Sequence, residues 1–278
     1  MKEILSTDEK CLRYTGAQTL PMLTSLYEWM APAAAKIKLW DAKSKLNPGK
    51  TRGRKRFKLN LFQELTMTLV RIRRVYDSHH IGYLFWISQS HVCRIFTAWV
   101  NFLAVIMKPL LIWPSRDLVT ENLPDSFRKD YPRTRCIIDC TEFKVQKPFR
   151  PKAQRLTWSN YKHSNTFKML VGISPTGAIA FLSKLYPGSI SDMAIVKLSN
   201  FPDKVEAYDD IMADRGFNIR HLLLPKKATL NMPAFSRGKN LSKKAVRKSR
   251  KIASVRIHVE RAIQRIKKHS IYLPTSYL

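Results

Sequence analysis

A chain of 278 residues with 45% hydrophobic content is long enough for one large domain or two modest ones and can bury a core, so a folded, soluble protein is expected. Fifty Lys plus Arg against 20 Asp plus Glu leave a formal charge of +30, which calls for a polyanionic partner. Nucleic acid fits better than an anionic membrane, because counterion release rewards many cations spread over a long surface and the chain shows no lipidation signal or basic amphipathic anchor.

The longest apolar stretch, residues 99–113, is broken by Lys108 and Pro109 and falls short of the roughly 20 residues a membrane span needs. The first ten residues are charged and polar, unlike a signal peptide, and an intracellular protein is expected. Four cysteines (Cys11, Cys93, Cys136, Cys140) lack the spacing of a disulfide scaffold or a zinc site, which suits a reducing compartment.

Residues 1–58 form an N-terminal segment with a helical pattern over 22–37 and a basic linker over 47–58. Within that linker KTRGRKRFK, which includes Lys55 and Arg56, reads either as a nuclear import signal or as a phosphate-contacting arm. Residues 59–115 then carry helical periodicity over 61–75, 81–86 and 89–103, with Ser88 as the N-cap of the third helix. Two short helices and a tight turn, with Ser88, Gln89, Ser90, His91 and Arg94 at the start of the second, match a helix-turn-helix DNA reader. An ordinary helical hairpin has the same spacing.

From about residue 130 to 278 the pattern becomes α/β. Strands are expected over 135–145, 166–174, 178–185 and 210–213, with a short fifth at 222–224, a turn at Pro175-Thr176-Gly177, and a helix capped by Ser189 or Ser191. Residues 230–240 read as loop and 242–269 as a long basic helix, giving helices packed on a mixed sheet.

Acidic residues are scarce, so three of them stand out. Asp139 lies inside an apolar strand, where a lone carboxylate costs several kcal/mol without compensation. Asp214 ends another strand before Arg215 and Gly216, at the C-terminal edge where α/β sheets place their sites. Glu260 borders the buried stripe of the last helix, with Arg256 and Gln264 one turn away on either side. Three carboxylates without a Cys or His set suit Mg²⁺ or Mn²⁺, and two such ions can drive in-line attack on a phosphodiester. Each also has a plainer use: Asp139 pairing with Lys or Arg, Asp214 capping a turn, Glu260 partnering Arg256 or Arg261.

The ordered blocks IDCTE (138–142), YK (161–162) with NTFK (165–168), GISP (172–175), YPGSISD (186–192), ADRGF (213–217) and VERAI (259–263) resemble the DDE superfamily endonucleases, the Harbinger-like transposases and their relatives. ISQSHVCRIF (87–96) resembles the helix-turn-helix that precedes the nuclease domain in that family. The resemblance implies an RNase H-like mixed sheet flanked by helices and preceded by an all-α helix-turn-helix domain. It also implies a Mg²⁺ or Mn²⁺ phosphoryl-transfer site with Asp139, Asp214 and Glu260 as catalytic residues and Asp192 as a further metal ligand. Glu142, three positions from Asp139, reads instead as a structural partner.

The expected partner is double-stranded DNA, with a homo-oligomer and an accessory DNA-binding protein admitted, and the expected location is the nucleus. The chain is also expected to be short beyond the Glu260 helix. The rival reading is therefore a domesticated or truncated transposase-derived DNA-binding protein without nuclease activity. A general RNA-binding protein is disfavoured, for want of interleaved aromatics and Gly-rich tracts.

Overall fold

The computed structural model describes residues 3–39, 59–233 and 242–267. They fall into two compact units that meet in sequence between Leu110 and Leu111.

The first unit is helical: α1 (Asp8–Thr15), α2 (Leu20–Ala34), α3 (Leu61–Arg74), α4 (Ser78–Phe85) and α5 (Gln89–Ile106). Sequence dictates each start, because Thr7, Thr19, Asn60, Asp77 and Ser88 all accept a backbone N–H from the first turn. Asn60 and Gln63 complete a reciprocal capping box. Leu65, Ile81, Phe85, Val92, Ile95 and Trp99 close over one core. Inside it, the Trp99 indole donates to the fully buried Glu64 at 2.8 Å.

The turn between α4 and α5 is tight. Trp86 adopts the left-handed region at φ 56°, and Ile87 N–H donates to the Gly82 carbonyl at 3.0 Å. A Cβ at Gly82 would stand 2.7 Å from the Ile87 carbonyl oxygen, so the close approach requires glycine.

The second unit begins with α6 (Arg116–Glu121) and α7 (Asp125–Arg128), followed by β1 (Thr134–Lys144), α8 (Pro151–Thr157), β2 (Trp158–Ser159), β3 (Ser164–Ile173), β4 (Ile179–Leu182), β5 (Tyr186–Pro187), α9 (Asp192–Leu198), β6 (Asp210–Met212), α10 (Arg220–Leu223), β7 (Thr229–Asn231) and α11 (Lys243–Lys267). β1 pairs antiparallel with β3, whose other edge takes β2, β5 and β4 in turn. On its far side β1 pairs parallel with β6, and β6 pairs parallel with β7. An antiparallel meander continued by two parallel strands, covered by helices, is the RNase H-like α/β fold.

Strand alternation assigns the two faces. Cys136, Ile138, Leu170, Ile211 and Ala213 pack toward α9 through Ile195 and Val196. Ile137, Val171, Ile173 and Met212 pack with Ile252, Val255 and Val259 of α11 and with Val119 and Phe127. At its start, β1 is tied to the residue preceding β6 by Arg135, Arg116 and Asp209, with Arg135 and Asp209 almost fully buried.

One expected strand is corrected. Residues 222–224 belong to helical structure, since α10 runs into a 3-10 turn over Leu224–Lys226, and the parallel edge strand is Thr229–Asn231. The apolar run alone could not separate the two. Ile219 and Leu223, one helical turn apart, are both buried, and Pro225 suits a helix start.

Candidate active site

The sheet register brings two carboxylates together. Ile137 pairs with Met212 across the parallel β1–β6 ladder, and Asp139 and Asp214 each lie two residues further in the same direction. Period-two alternation therefore puts both on the face that α11 covers. α11 answers with Arg256, which is buried beside Val255 and Val259. Its guanidinium bridges the pair, 3.1 Å from Asp214 and 3.8 Å from Asp139.

Each carboxylate also accepts the N–H of the next residue at 2.8 Å, Cys140 for Asp139 and Arg215 for Asp214. The Asp139 side chain is 24% exposed and that of Asp214 49%. Burial pushes the Asp139 carboxyl up to about 6, against the pull of Arg256 and the Cys140 amide and with help from Asp214 and Asp192.

Because that carboxyl titrates higher in the folded chain than its ordinary 3.8, the native state holds the proton longer. Its contribution to stability is full below about pH 4 and lost as pH rises to about 6, on the order of 2–3 kcal/mol. Urea unfolding at pH 4.5 and 7 is expected to reveal this component as the difference between wild type and Asp139→Asn. Identical pH profiles would contradict it.

Glu260 lies one turn beyond Arg256 on α11 and is exposed. Among the described residues no three His, Cys, Asp or Glu side chains form a cluster able to hold a metal. The arrangement thus joins two of the three expected carboxylates, with Glu260 on the adjacent helix.

Asp192, in the first turn of α9 after the Ser191 cap, reaches the same edge from the other face. A Cβ at Gly216 would stand 3.6 Å from its Oδ2. Its charge is matched by Lys168 at 3.3 Å, which also lies 3.7 Å from Glu142. Glu142 in turn accepts from the Thr166 hydroxyl at 2.7 Å, a structural role.

Sequence reading missed three cations of this region. Arg256 registered as a helical neighbour of Glu260, and Lys168 emerges because it pairs with Glu142 across the β1–β3 ladder. Lys267 packs 5.9 Å from the Phe143 ring. Its amine is held below the usual lysine range by burial and by Lys162, against the opposing effect of Glu142 and Asp139. A signal for Arg256 did exist: it adjoins the buried stripe, where an unmatched guanidinium demands carboxylates.

The donor set fits a hard divalent cation. The available donors are carboxylate oxygens, and burial holds the neighbouring Cys140 thiol far above its ordinary range, which removes a competing thiolate. Mg²⁺ characteristically uses one or two carboxylates and keeps water or phosphate oxygens for the rest. The bridging guanidinium lies where positive charge is favoured between Asp139 and Asp214.

In the first unit, Ser88, Gln89 and Ser90 are exposed at the start of α5, while His91 and Arg94 are half-buried. The Ser88 hydroxyl is engaged with the His91 amide and ring nitrogen, so it orders the helix start. Exposed Cys93 and Thr97 extend the outward face beyond the residues that sequence singled out. Lys55 and Arg56 lie outside the described residues.

The first unit thus joins two helices through a tight turn, and the second brings an acidic pair together from adjacent parallel strands of an α/β sheet. The family model for the DDE superfamily endonuclease matches residues 138–277, and that for the helix-turn-helix of DDE superfamily endonuclease matches residues 57–109. The chain belongs to the DDE superfamily endonuclease family. No curated protein and no solved structure matches it. No helix among the described residues is long and apolar enough to cross a membrane.

Proposed function

We propose that the chain is a divalent-metal-dependent DNA endonuclease of transposase type, acting in the nucleus on double-stranded DNA. The observation that carries this reading is the Asp139–Asp214 pair on adjacent parallel strands, bridged by a guanidinium, in a chain of this family. Asp139 and Asp214 would hold Mg²⁺ or Mn²⁺, joined by Glu260 from α11. Asp192, whose carboxylate also meets Lys168 at 3.3 Å, would be a further ligand.

A bound divalent cation would supply Lewis-acid activation of the phosphodiester and of the attacking water or 3′-hydroxyl. The chain contributes a partly buried carboxylate pair that orients the ligands, and Arg256, whose positive charge balances the pair. Gln89, Ser90, His91 and Arg94 would meet base edges and phosphates, with Lys55 and Arg56 adding phosphate contacts.

One observation favours the second reading, a transposase-derived DNA-binding protein without nuclease activity: Arg256 already neutralises the pair, as a chain with no need of metal could do. Incubating supercoiled plasmid with the purified protein separates the two. Nicking in Mg²⁺ or Mn²⁺ that stops with chelator is expected. A folded, DNA-binding protein that nicks in neither metal would favour the second reading.

A further inference from the structure

Between β1 and β3 the chain makes an excursion, residues 145–163, that carries five Lys or Arg and no Asp or Glu. Three aromatic side chains in it face solvent: Phe149 at 98% exposure, Tyr161 at 79% and Trp158 at 43%. Leaving such rings in water forgoes the burial that normally holds aromatics inside a protein. The excursion is nevertheless tied down. The Asn165 side chain donates to the Gln154 carbonyl at 2.9 Å and to the Thr157 hydroxyl at 2.8 Å, and β2 pairs with β3. Ser189 N–H donates to the Leu156 carbonyl, and Gly188 passes so close that a Cβ would stand 2.7 Å from the Thr157 carbonyl oxygen.

We infer that this excursion is a binding surface for an unpaired DNA strand beside the carboxylate pair. Every base has a π-face, so rings held outward can stack on successive unpaired bases, whereas bases in a duplex are already stacked on one another. The interleaved cations meet the strand's phosphates, and Lys162 Nζ lies 4.5 Å from the centre of the Tyr161 ring, pairing one cation with one platform. The excursion leaves the end of β1, the strand that carries Asp139, and Lys267, 5.9 Å from the Phe143 ring near that end, lies within electrostatic reach of both Lys162 and Asp139. An anionic lipid surface would also accept rings and cations, but it gives no reason for this placement. The inference rests on the DNA reading of the chain and needs no cleavage.

The test uses the full chain in EDTA, with a fluorescein-labelled mixed-sequence single strand, the matching duplex, and phosphatidylglycerol vesicles as probes. Phe149→Ala/Tyr161→Ala is expected to bind the single strand at least ten-fold more weakly, as loss of base stacking implies, with duplex affinity within about two-fold. Phe149→Trp/Tyr161→Phe should restore single-strand binding, and thermal melting should confirm that both variants fold. Unchanged single-strand affinity, equal loss on duplex, or a loss confined to vesicles would each overturn the inference. Absence of nicking by the wild type would overturn the nuclease reading and leave this result standing.

Discussion

Replacing Asp209 by Ala is expected to destabilise the second unit by about 3–5 kcal/mol, the cost of removing one partner from a buried ionic network. Asp209 is 1% exposed and accepts from Arg116 Nη2 at 2.9 Å and from Arg135 Nη1 at 3.4 Å, while its other oxygen takes the Glu206 N–H at 3.0 Å. Arg135 is itself almost wholly buried, and its remaining carboxylate partner, Glu206, is more than half exposed and screened by water. The substitution would leave a guanidinium charge inside the protein at the start of β1. Since β1 carries Asp139, loosening there would reach the site. Urea denaturation gives the number directly, and a loss below about 1 kcal/mol would show that Glu206 and solvent can compensate.

The second large effect is expected at Arg256. Arg256→Met keeps aliphatic bulk at this buried position but leaves Asp139 and Asp214 facing each other without a cation. At neutral pH without divalent metal the loss should be about 2–4 kcal/mol, tempered by the half-exposed position of Asp214. Mn²⁺ should then raise the melting temperature of the variant more than that of wild type, because the carboxylates no longer have a competing guanidinium. If Mn²⁺ shifts both equally, Arg256 and the metal do not share the pair.

What sequence could and could not convey follows from where the information lies. β1 and β3 were legible because apolar alternation over a long run has few other meanings, and Asp139 stood out as a charge inside such a run. Its partnership with Asp214 depends on the Ile137↔Met212 register, which the parallel ladder sets and local composition does not. β2 and β5, two residues each, form because β3 offers them a free edge, so no periodicity announces them. The confusion of α10 with a strand came from an apolar run too short to show a period. The helix-turn-helix was readable from its Ser88 cap and apolar spacing, but a left-handed C-cap at Trp86, an exposed tryptophan where glycine is usual, is not announced by composition. Buried Glu64 was invisible because its indole partner Trp99 lies 35 residues away. At the site the acidic residues were readable one by one, whereas the cations that balance them arrive from α11 and from across the sheet.

The most direct measurement is the rate of supercoiled-plasmid nicking in Mn²⁺ by wild type, Asp139→Asn and Asp214→Asn, each first shown to be folded by its melting curve. Metal-dependent nicking by wild type that falls at least 10³-fold in both variants is the predicted result, because each substitution removes a ligand of the phosphoryl-transfer site. Nicking that persists in either folded variant would contradict the assignment of the Asp139–Asp214 pair as the catalytic centre.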